Sequence, residues 1–190
     1  GLWDYMIKSK SKGFVLSLSG GADSSCLAVL VSEMWKLAVE ELGIEVALQY
    51  ANLHFDENKK TPMQVLLTTA YQSTTQSSQT TYESAKKLAT SLGATFYDWN
   101  IDTQVANAIE TISQKIGRNI TWDTDDLALQ NIQARVRSPL IWMLANLNNA
   151  LLLTTSNRSE GDVGYCTMDG DTSGSIAPIA GVSKHFVKNW

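Results

Sequence analysis

The stretch GFVLSLSGGADSSCLAVL, residues 13–30, joins two apolar runs through glycines, hydroxyl side chains and one carboxylate. Its first half is apolar up to Leu18 and is interrupted by Gly20 and Gly21, which predicts a buried strand followed by a turn. Its second half predicts a helix, because apolar residues recur at spacings of three and four until Gly43. A glycine turn between a strand and a helix leaves backbone N–H groups facing outward at the positive end of the helix dipole. Such a turn favours binding of an anionic phosphate.

The composition is typical of one globular domain. With 190 residues, of which 44% are hydrophobic, the chain can bury one sizeable core. Fifteen basic residues against nineteen acidic ones give a net charge of -4, which argues against a nucleic-acid-binding protein that relies on overall charge. Cys26 and Cys166 are too few for a disulfide framework or a zinc site, and they favour a reducing cytoplasm. No apolar run approaches the roughly 20 residues that span a bilayer, so no membrane partner is expected.

Both ends of the sequence lie within predicted helices. The first residues, GLWDYM, begin without an initiator methionine, and the last residues, KHFVKNW, stop within the first turns of a helix. We therefore expect residues 1–190 to be one domain of a longer protein. Six tryptophans are expected to pack in the core or at an interface, namely Trp3, Trp35, Trp99, Trp122, Trp142 and Trp190.

Strands and helices alternate along the rest of the chain. Further strands are predicted at residues 64–69, 94–101 and 150–155. Further helices are predicted from a Thr80–Glu83 capping box to Gly93, from Asp102 to Gly117, and from about Asp125 to Leu147. Residues 50–63 predict an irregular connection. The segment 68–81, in which twelve of fourteen residues are Ser, Thr or Gln, predicts a loop.

The predicted strands are continuous apolar runs, which is typical of a parallel sheet covered on both faces. We therefore predict an α/β fold, a doubly wound, Rossmann-like parallel sheet with helices on both faces. Ligands in such folds bind beyond the carboxyl ends of the strands. Two of these ends are rich in polar side chains, SLSGGADSS at residues 17–25 and TTSNRSEGDVGY at residues 154–165.

The loop SGGADSS, residues 19–25, resembles the SGGxDS pyrophosphate loop of the N-type ATP pyrophosphatases. It has neither the Lys-Ser/Thr pair of a P-loop nor the GxGxxG spacing. The resemblance implies an adenine nucleotide alpha hydrolase-like fold. It also implies an ATP site formed by Ser17, Leu18, Ser19, Gly20, Gly21, Ala22, Asp23 and Ser24. A carboxylate beside a phosphate is favourable only with a cation between them, so Asp23 indicates Mg²⁺.

Residues 131–146 and 151–184 resemble the synthetase domain of NAD synthetases, and the similarity extends from Gly1 to the last residues. The resemblance implies that ATP adenylates the carboxylate of deamido-NAD (nicotinic acid adenine dinucleotide) with release of pyrophosphate, and that ammonia then displaces AMP. The GLWDYM helix is typical of the glutamine-dependent forms, in which an upstream glutaminase domain supplies the ammonia. We expect C-terminal helices to follow the chain, and a homo-oligomer.

The same resemblance assigns roles to single residues. Thr155 and Lys184 match ATP contacts, and Asp23 and Glu160 match the carboxylates that share Mg²⁺. The implied catalytic residues are Lys184, which would stabilise the departing pyrophosphate, and Asp171, near the ammonia path. The implied contacts to deamido-NAD are Asn131, Arg135, Glu160, Tyr165, Thr167 and Met168.

The long helix supports this assignment independently. Asn131, Arg135 and Ser138 form a polar stripe at helical spacing, for which a solvated surface is the alternative interpretation. An apolar stripe is predicted on Ile132, Val136, Met143 and Leu147. Pro139 lacks an N–H and predicts a kink. Arg137 is interpreted as an ordinary salt-bridge partner.

Two positions depart from the ammonia-dependent branch of the family, where a lysine stands in place of Met168 and an aspartate in place of Ser175. The run GYCTMDGDTSGS at residues 164–175 instead resembles the bacterial glutamine-dependent branch. Two alternatives remain. One is a different ATP pyrophosphatase that amidates another substrate, such as a GMP-synthetase-like enzyme, and the other is a nucleotide-binding module without catalysis.

Overall fold

A computed structural model describes residues 1–189 and contains a parallel sheet with the strand order β3-β2-β1-β4. The strands are β1 (Phe14–Ser17), β2 (Leu67–Ser73), β3 (Thr95–Asn100) and β4 (Leu151–Leu153). The helices are α1 (Leu2–Ser9), α2 (Ala22–Leu42), α3 (Ile44–Tyr50), α4 (Pro62–Leu66), α5 (Gln79–Leu92), α6 (Asp102–Ile116), α7 (Trp122–Leu147), α8 (Arg158–Val163) and α9 (Lys184–Asn189). Among residues 1–189, no helix combines the length and the apolar character needed to cross a membrane.

The four strands run in one direction, so their carboxyl ends meet at one edge of the sheet. Val15 of β1 pairs with Thr68 of β2 on one side and with Leu152 of β4 on the other. The loop after β1 and the segment after β4 therefore start from neighbouring strands. This placement brings together the two polar segments that the sequence singled out.

Helices cover both faces of the sheet, which confirms the predicted doubly wound α/β fold. On one face α1, α2 and α5 pack on the sheet through a core that includes Met6, Phe14, Leu16, Leu27, Val31, Ala85 and Ala89. On the other face α7 packs through a smaller core of Val15, Ala70, Ile141, Ala145 and Leu152. The polar edge thus lies between α2 and α7.

The structure corrects the prediction for the residues around β2. Residues 68–73 form most of this buried strand and not a loop, while residues 62–66, partly assigned to a strand, form α4. Thr61 and Gln64 make the capping box of α4. Helix α5 starts two residues earlier than predicted, because the side chain of Ser78 rather than that of Thr80 caps it. The predicted helix ends at Gly43, Gly93 and Gly117 are confirmed.

Helix α7 is interrupted near its start and not at Pro139. Asp125 has non-helical dihedral angles (φ -131°, ψ 24°), whereas Pro139 lies inside the continuous helix, and the predicted kink at the proline stays a prediction. Asp125 accepts two hydrogen bonds from Arg118, at 2.6 and 2.8 Å, and one from the Thr121 amide at 3.1 Å. The hydrogen bond from Arg118, helped by Thr124 and Thr121, holds the pKa of Asp125 well below its usual range. These contacts fix the turn that leads into the helix.

The buried face of α7 also differs from the predicted one. Met143 and Leu147 are 60% and 75% exposed, whereas Ile141 and Ala145 lie in the core. The tryptophans also differ in burial, because Trp35 is buried and Trp122 is 55% exposed. Trp190 lies outside the described residues.

Candidate active site at the carboxyl edge of the sheet

The loop between β1 and α2 is closed by its own hydroxyl groups. The Ser19 amide donates to Ser24 Oγ at 3.2 Å, and the two hydroxyl oxygens lie 3.1 Å apart. Ser24 Oγ also donates to the Gly21 carbonyl at 3.2 Å, and the Gly21 amide donates to Ser19 Oγ at 3.3 Å. These bonds hold the loop in a tight turn at the N-terminus of α2, where backbone N–H groups can face an anion.

Gly20 lets this loop lie directly against the start of α5. Its φ of +79° is in the region that favours glycine, and a Cβ at this position would lie 2.3 Å from the carbonyl oxygen of Thr81. The loop and the first turn of α5 are therefore in backbone contact. A side chain at residue 20 has no space without movement of one of them.

Asp23, Glu160 and Lys184 form the charged centre of the edge. Lys184 Nζ donates to Asp23 Oδ2 and lies 3.5 Å from Glu160 Oε1. Burial disfavours the charged ammonium group, but the hydrogen bond and the charge of Asp23, together with those of Glu160, outweigh burial and raise the pKa of Lys184. The ammonium group thus balances two carboxylates that come from two different strand ends.

Asn157 positions both carboxylates. Its side-chain amide donates to Asp23 Oδ1 at 3.2 Å, and its Oδ1 accepts from the Glu160 amide at 3.0 Å as the N-cap of α8. Its own backbone amide donates to Glu160 Oε2 at 3.4 Å. The Lys184 amide donates to Ser159 Oγ at 3.0 Å, which ties the start of α9 to α8. Sequence analysis did not single out Asn157, although its N-cap position before an acidic helix start could have indicated it.

The oxygen ligands at this centre fit a Mg²⁺ ion that is also bound by the phosphate groups of a substrate. Asp23 and Glu160 converge on one cation, the ammonium group of Lys184. Among residues 1–189, no group of three or more His, Cys, Asp or Glu side chains is arranged to bind a metal ion. Mg²⁺ commonly takes only one or two carboxylates and completes its shell with phosphate oxygens and water. Asp23 and Glu160 can supply these carboxylate ligands once the ammonium group of Lys184 moves away from them.

A second cluster joins α7 to the segment that follows α8. Thr167 Oγ1 donates to Asn131 Oδ1 at 3.0 Å, and Arg135 Nε donates to the Met168 carbonyl at 3.0 Å. The Thr167 amide donates to Asp171 Oδ2 at 2.8 Å. The predicted residues Asn131, Arg135, Thr167 and Asp171 are thus brought together.

The side chains of Tyr165 and Met168 lie on the outside of this segment. They are 83% and 69% exposed, respectively. Gly170 of the same segment lies against α7, where a Cβ would be 3.0 Å from the backbone of Ala134. The roles of Tyr165 and Met168 in binding a dinucleotide stay predictions.

A cavity of about 340 Å³ lies between the phosphate loop and the second cluster. Its walls come from β1, β2, β4, α7 and the segment 170–173. They include Ser17, Ser19, Gln72, Arg137, Ser138, Thr154, Thr155, Asp171 and Ser173. The predicted ATP contacts Ser17, Ser19 and Thr155 thus share this cavity with Asp171 of the second cluster.

Arg137 is the cavity residue that sequence analysis misjudged. No carboxylate among residues 1–189 lies within salt-bridge distance of it, so the predicted ordinary salt bridge is wrong. Its guanidinium group donates to the Gln133 carbonyl at 2.7 Å and to the Gln72 carbonyl at 3.4 Å. Burial lowers its pKa, against the opposing effect of the Asp171 charge. Its helical spacing from Ile141 was the available signal that it faces the sheet.

Comparison with known proteins identifies the family. A family model described as NAD synthase matches residues 1–190. The chain belongs to the NAD synthase family. This membership confirms the predicted resemblance and favours it over the GMP-synthetase-like alternative.

Individual members of the NAD synthase family resemble the chain closely. The crystal structure of a glutamine-dependent NAD(+) synthetase from Cytophaga hutchinsonii superposes with a TM-score of 0.93 at 57% identity, over 100% of this chain and 35% of that one. A glutamine-dependent NAD(+) synthetase of Oryza sativa subsp. indica is 36% identical over 98% of this chain and 29% of its own length. A glutamine-dependent NAD+ synthetase from Acinetobacter baumannii, solved in complex with ADP, has a TM-score of 0.71 at 29% identity, over 98% of this chain and 29% of that one. The chain therefore spans about a third of the length of these relatives.

Proposed function

We propose that this chain carries out the ATP-dependent amidation of deamido-NAD to NAD, as the synthetase part of a glutamine-dependent enzyme. The observation that carries the proposal is the convergence of Asp23 and Glu160 on Lys184 beside the phosphate loop. A module that only binds a nucleotide has no need of two carboxylates facing one cation. Membership of the NAD synthase family supports the same conclusion.

The first half-reaction would take place at the mouth of the cavity. A carboxylate oxygen of deamido-NAD attacks the α-phosphorus of ATP, the bond between the α- and β-phosphates breaks, and pyrophosphate leaves. The N–H groups of the Ser19–Gly21 loop would bind the phosphates, and Lys184 would turn from the carboxylates to the departing pyrophosphate. Mg²⁺ held by Asp23 and Glu160 would neutralise phosphate charge. Catalysis of this kind depends on positioning and on stabilising charge.

The second half-reaction would take place deeper in the cavity. Ammonia attacks the acyl carbon of the adenylate, the bond from that carbon to the phosphate oxygen breaks, and AMP leaves. The attacking nitrogen must lose a proton, and the carboxylate of Asp171 would accept it. The backbone of Asp171 is fixed for this role, because its carbonyl accepts from Thr154 Oγ1 at 2.7 Å and from Ser156 Oγ at 3.1 Å.

The two nucleotides should depend on different residues. Arg135→Ala is expected to weaken binding of deamido-NAD by about 1.5–3 kcal/mol, the range for a hydrogen bond to a charged group, and to leave ATP affinity nearly unchanged. Ser19→Ala should do the reverse, because it removes a hydroxyl of the phosphate loop. Calorimetric titration of each nucleotide separately into each variant measures both effects. Loss of ATP binding with intact dinucleotide binding in Arg135→Ala would contradict the two-site arrangement.

The nitrogen source provides a separate prediction. Residues 1–190, extended through C-terminal helices where stability requires it, should form NAD from free ammonia and not from glutamine, because nothing among the described residues 1–189 resembles a glutaminase nucleophile. The measurement follows NAD and pyrophosphate with each nitrogen donor. The upstream glutaminase domain, the homo-oligomer and the cytoplasmic location remain parts of the proposal. NAD formation from glutamine by this chain alone would show that a second active site lies within it.

A further inference from the structure

Arg137 of α7 and Gln72 at the end of β2 form one corner of the cavity, which none of the proposed steps uses. Arg137 is half-buried, and Gln72 is only 7% exposed. Both line the cavity beside Asp171 and Ser138. Because they come from two different elements, the corner is fixed by the packing of α7 on the sheet.

Neither side chain is satisfied by the described residues. Gln72 Nε2 donates to Ser17 Oγ at 3.2 Å, but Gln72 Oε1 is buried without a hydrogen-bond partner among residues 1–189. The Ser17 hydroxyl can donate as well as accept, so the amide can turn over and present either its NH₂ or its oxygen to a ligand. A buried amide atom without a partner costs about 1–3 kcal/mol, which a ligand would recover.

The charge of Arg137 has no ion-pair partner among the described residues and is compensated only in part, by the more distant charges of Asp171 and Asp102. Its hydrogen-bond acceptors are the Gln72 and Gln133 carbonyls, and these use Nε and one terminal nitrogen of the guanidinium group. The other terminal nitrogen has no partner among residues 1–189. A half-buried guanidinium group without an ion-pair partner is stabilised when an anion binds to it.

We propose that Arg137 and Gln72 bind the carboxylate that becomes amidated, and that they thereby distinguish the carboxylate dinucleotide from its amide product. This inference rests on the proposed function. The planar guanidinium fork matches a carboxylate, whereas the phosphates already have the Ser19–Gly21 loop and Lys184. Among the residues that line the cavity, Arg137 is the one cation.

Arg135 and Arg137 would then have separate tasks. They are two residues apart on α7 and so point in nearly opposite directions. Arg135 is exposed and contacts the Met168 carbonyl, which suits a part of the ligand that substrate and product share. Arg137 faces the cavity, where the reacting group must meet the α-phosphate. Amidation removes the anion from Arg137, which favours release of the product.

Calorimetric titration of deamido-NAD and NAD, each alone, into the complete gene product tests this division. Wild type should bind deamido-NAD at least about tenfold more tightly than NAD, because the site is built for a charged group. Arg137→Gln should reduce this ratio to about twofold or less through weaker deamido-NAD binding, and Arg137→Lys should give an intermediate ratio. Arg135→Gln, the matched control, should weaken both dinucleotides and preserve the ratio.

Unchanged ATP affinity shows that a variant is folded. If Arg137→Gln changes the ATP affinity, the variant Gln72→Glu is tested instead. A carboxylate at residue 72 would pair with Arg137 and lower the ratio of deamido-NAD affinity to NAD affinity. This inference is overturned if the active wild-type enzyme binds deamido-NAD and NAD equally well, or if the ratio of their affinities is unchanged in these variants. Either result leaves the proposed function intact. A wild type that binds neither dinucleotide overturns both.

Discussion

Asp23→Asn is expected to slow Mg²⁺-dependent release of pyrophosphate from ATP by at least about 100-fold, which corresponds to about 2.7 kcal/mol at the barrier. Asparagine keeps the size of the side chain, and its oxygen can still accept the hydrogen bond from Asn157. The substitution removes the negative charge that pairs with Lys184 and that would bind Mg²⁺. The measurement is the rate of pyrophosphate release at saturating ATP and deamido-NAD.

Glu33→Gln is the matched control for this change. Glu33 also lies in α2 and also pairs with a lysine, Lys36 at 2.6 Å, but this pair is on the surface. Loss of an exposed pair of this kind changes little. Turnover near the wild-type rate in Asp23→Asn, with Glu33→Gln equally active, would refute the assignment of the metal site.

Gly20→Ala should have the second largest effect, on both stability and nucleotide binding. The added Cβ would lie 2.3 Å from the Thr81 carbonyl oxygen, at a φ of +79°. We expect a loss of about 2–4 kcal/mol in the free energy of unfolding, from backbone strain and overpacking together. We also expect a loss of ATP affinity of at least about tenfold, because the phosphate loop must move away from α5. Urea unfolding and ATP titration measure the two effects.

Gly43→Ala separates strain from the clash. Gly43 has a similar φ of +80°, but a Cβ there would meet nothing within 4 Å. This variant should lose stability and keep its ATP affinity. Equal losses of ATP affinity in both variants would show that the contact between the loop and α5 does not shape the nucleotide site.

The parts of the fold that could be predicted from sequence are those with a strong local pattern. The β1–loop–α2 unit is such a case, because an apolar strand, a glycine turn and an amphipathic helix follow one another. Strand β2 is the opposite case. Ser, Thr and Gln residues indicated a loop, yet Thr69 is fully buried and Gln72 is 7% exposed. β-branched threonines suit strands, and the buried hydroxyls find partners on neighbouring strands that no local pattern reveals.

The candidate site was predictable to the extent that strand order determines it. Polar residues after β1 and β4 were expected to meet, and Asp23, Glu160 and Lys184 do so. The arrangement of Arg137 was not predictable, because its environment depends on how α7 packs on the sheet. A residue type and a spacing do not specify which distant segment fills the space beside a side chain.

The polar strand β2 has a consequence for how the sheet finds its alignment. Thr69 Oγ1 donates to the Thr95 carbonyl at 2.9 Å, Gln72 Nε2 donates to Ser17 Oγ at 3.2 Å, and Ser73 Oγ lies 3.3 Å from the Trp99 carbonyl. A slip of two residues would keep every side chain on its own face, so apolar patterning opposes it only weakly. The two hydroxyl bonds could re-form after such a slip, because an equivalent backbone carbonyl recurs every two residues along the neighbouring strand. The bond between the side chains of Gln72 and Ser17 could not, and its loss would leave a buried amide without this partner, at about 1–3 kcal/mol. The Gln72 amide in the middle of the sheet therefore helps to select one strand alignment among several that a purely aliphatic strand would tolerate.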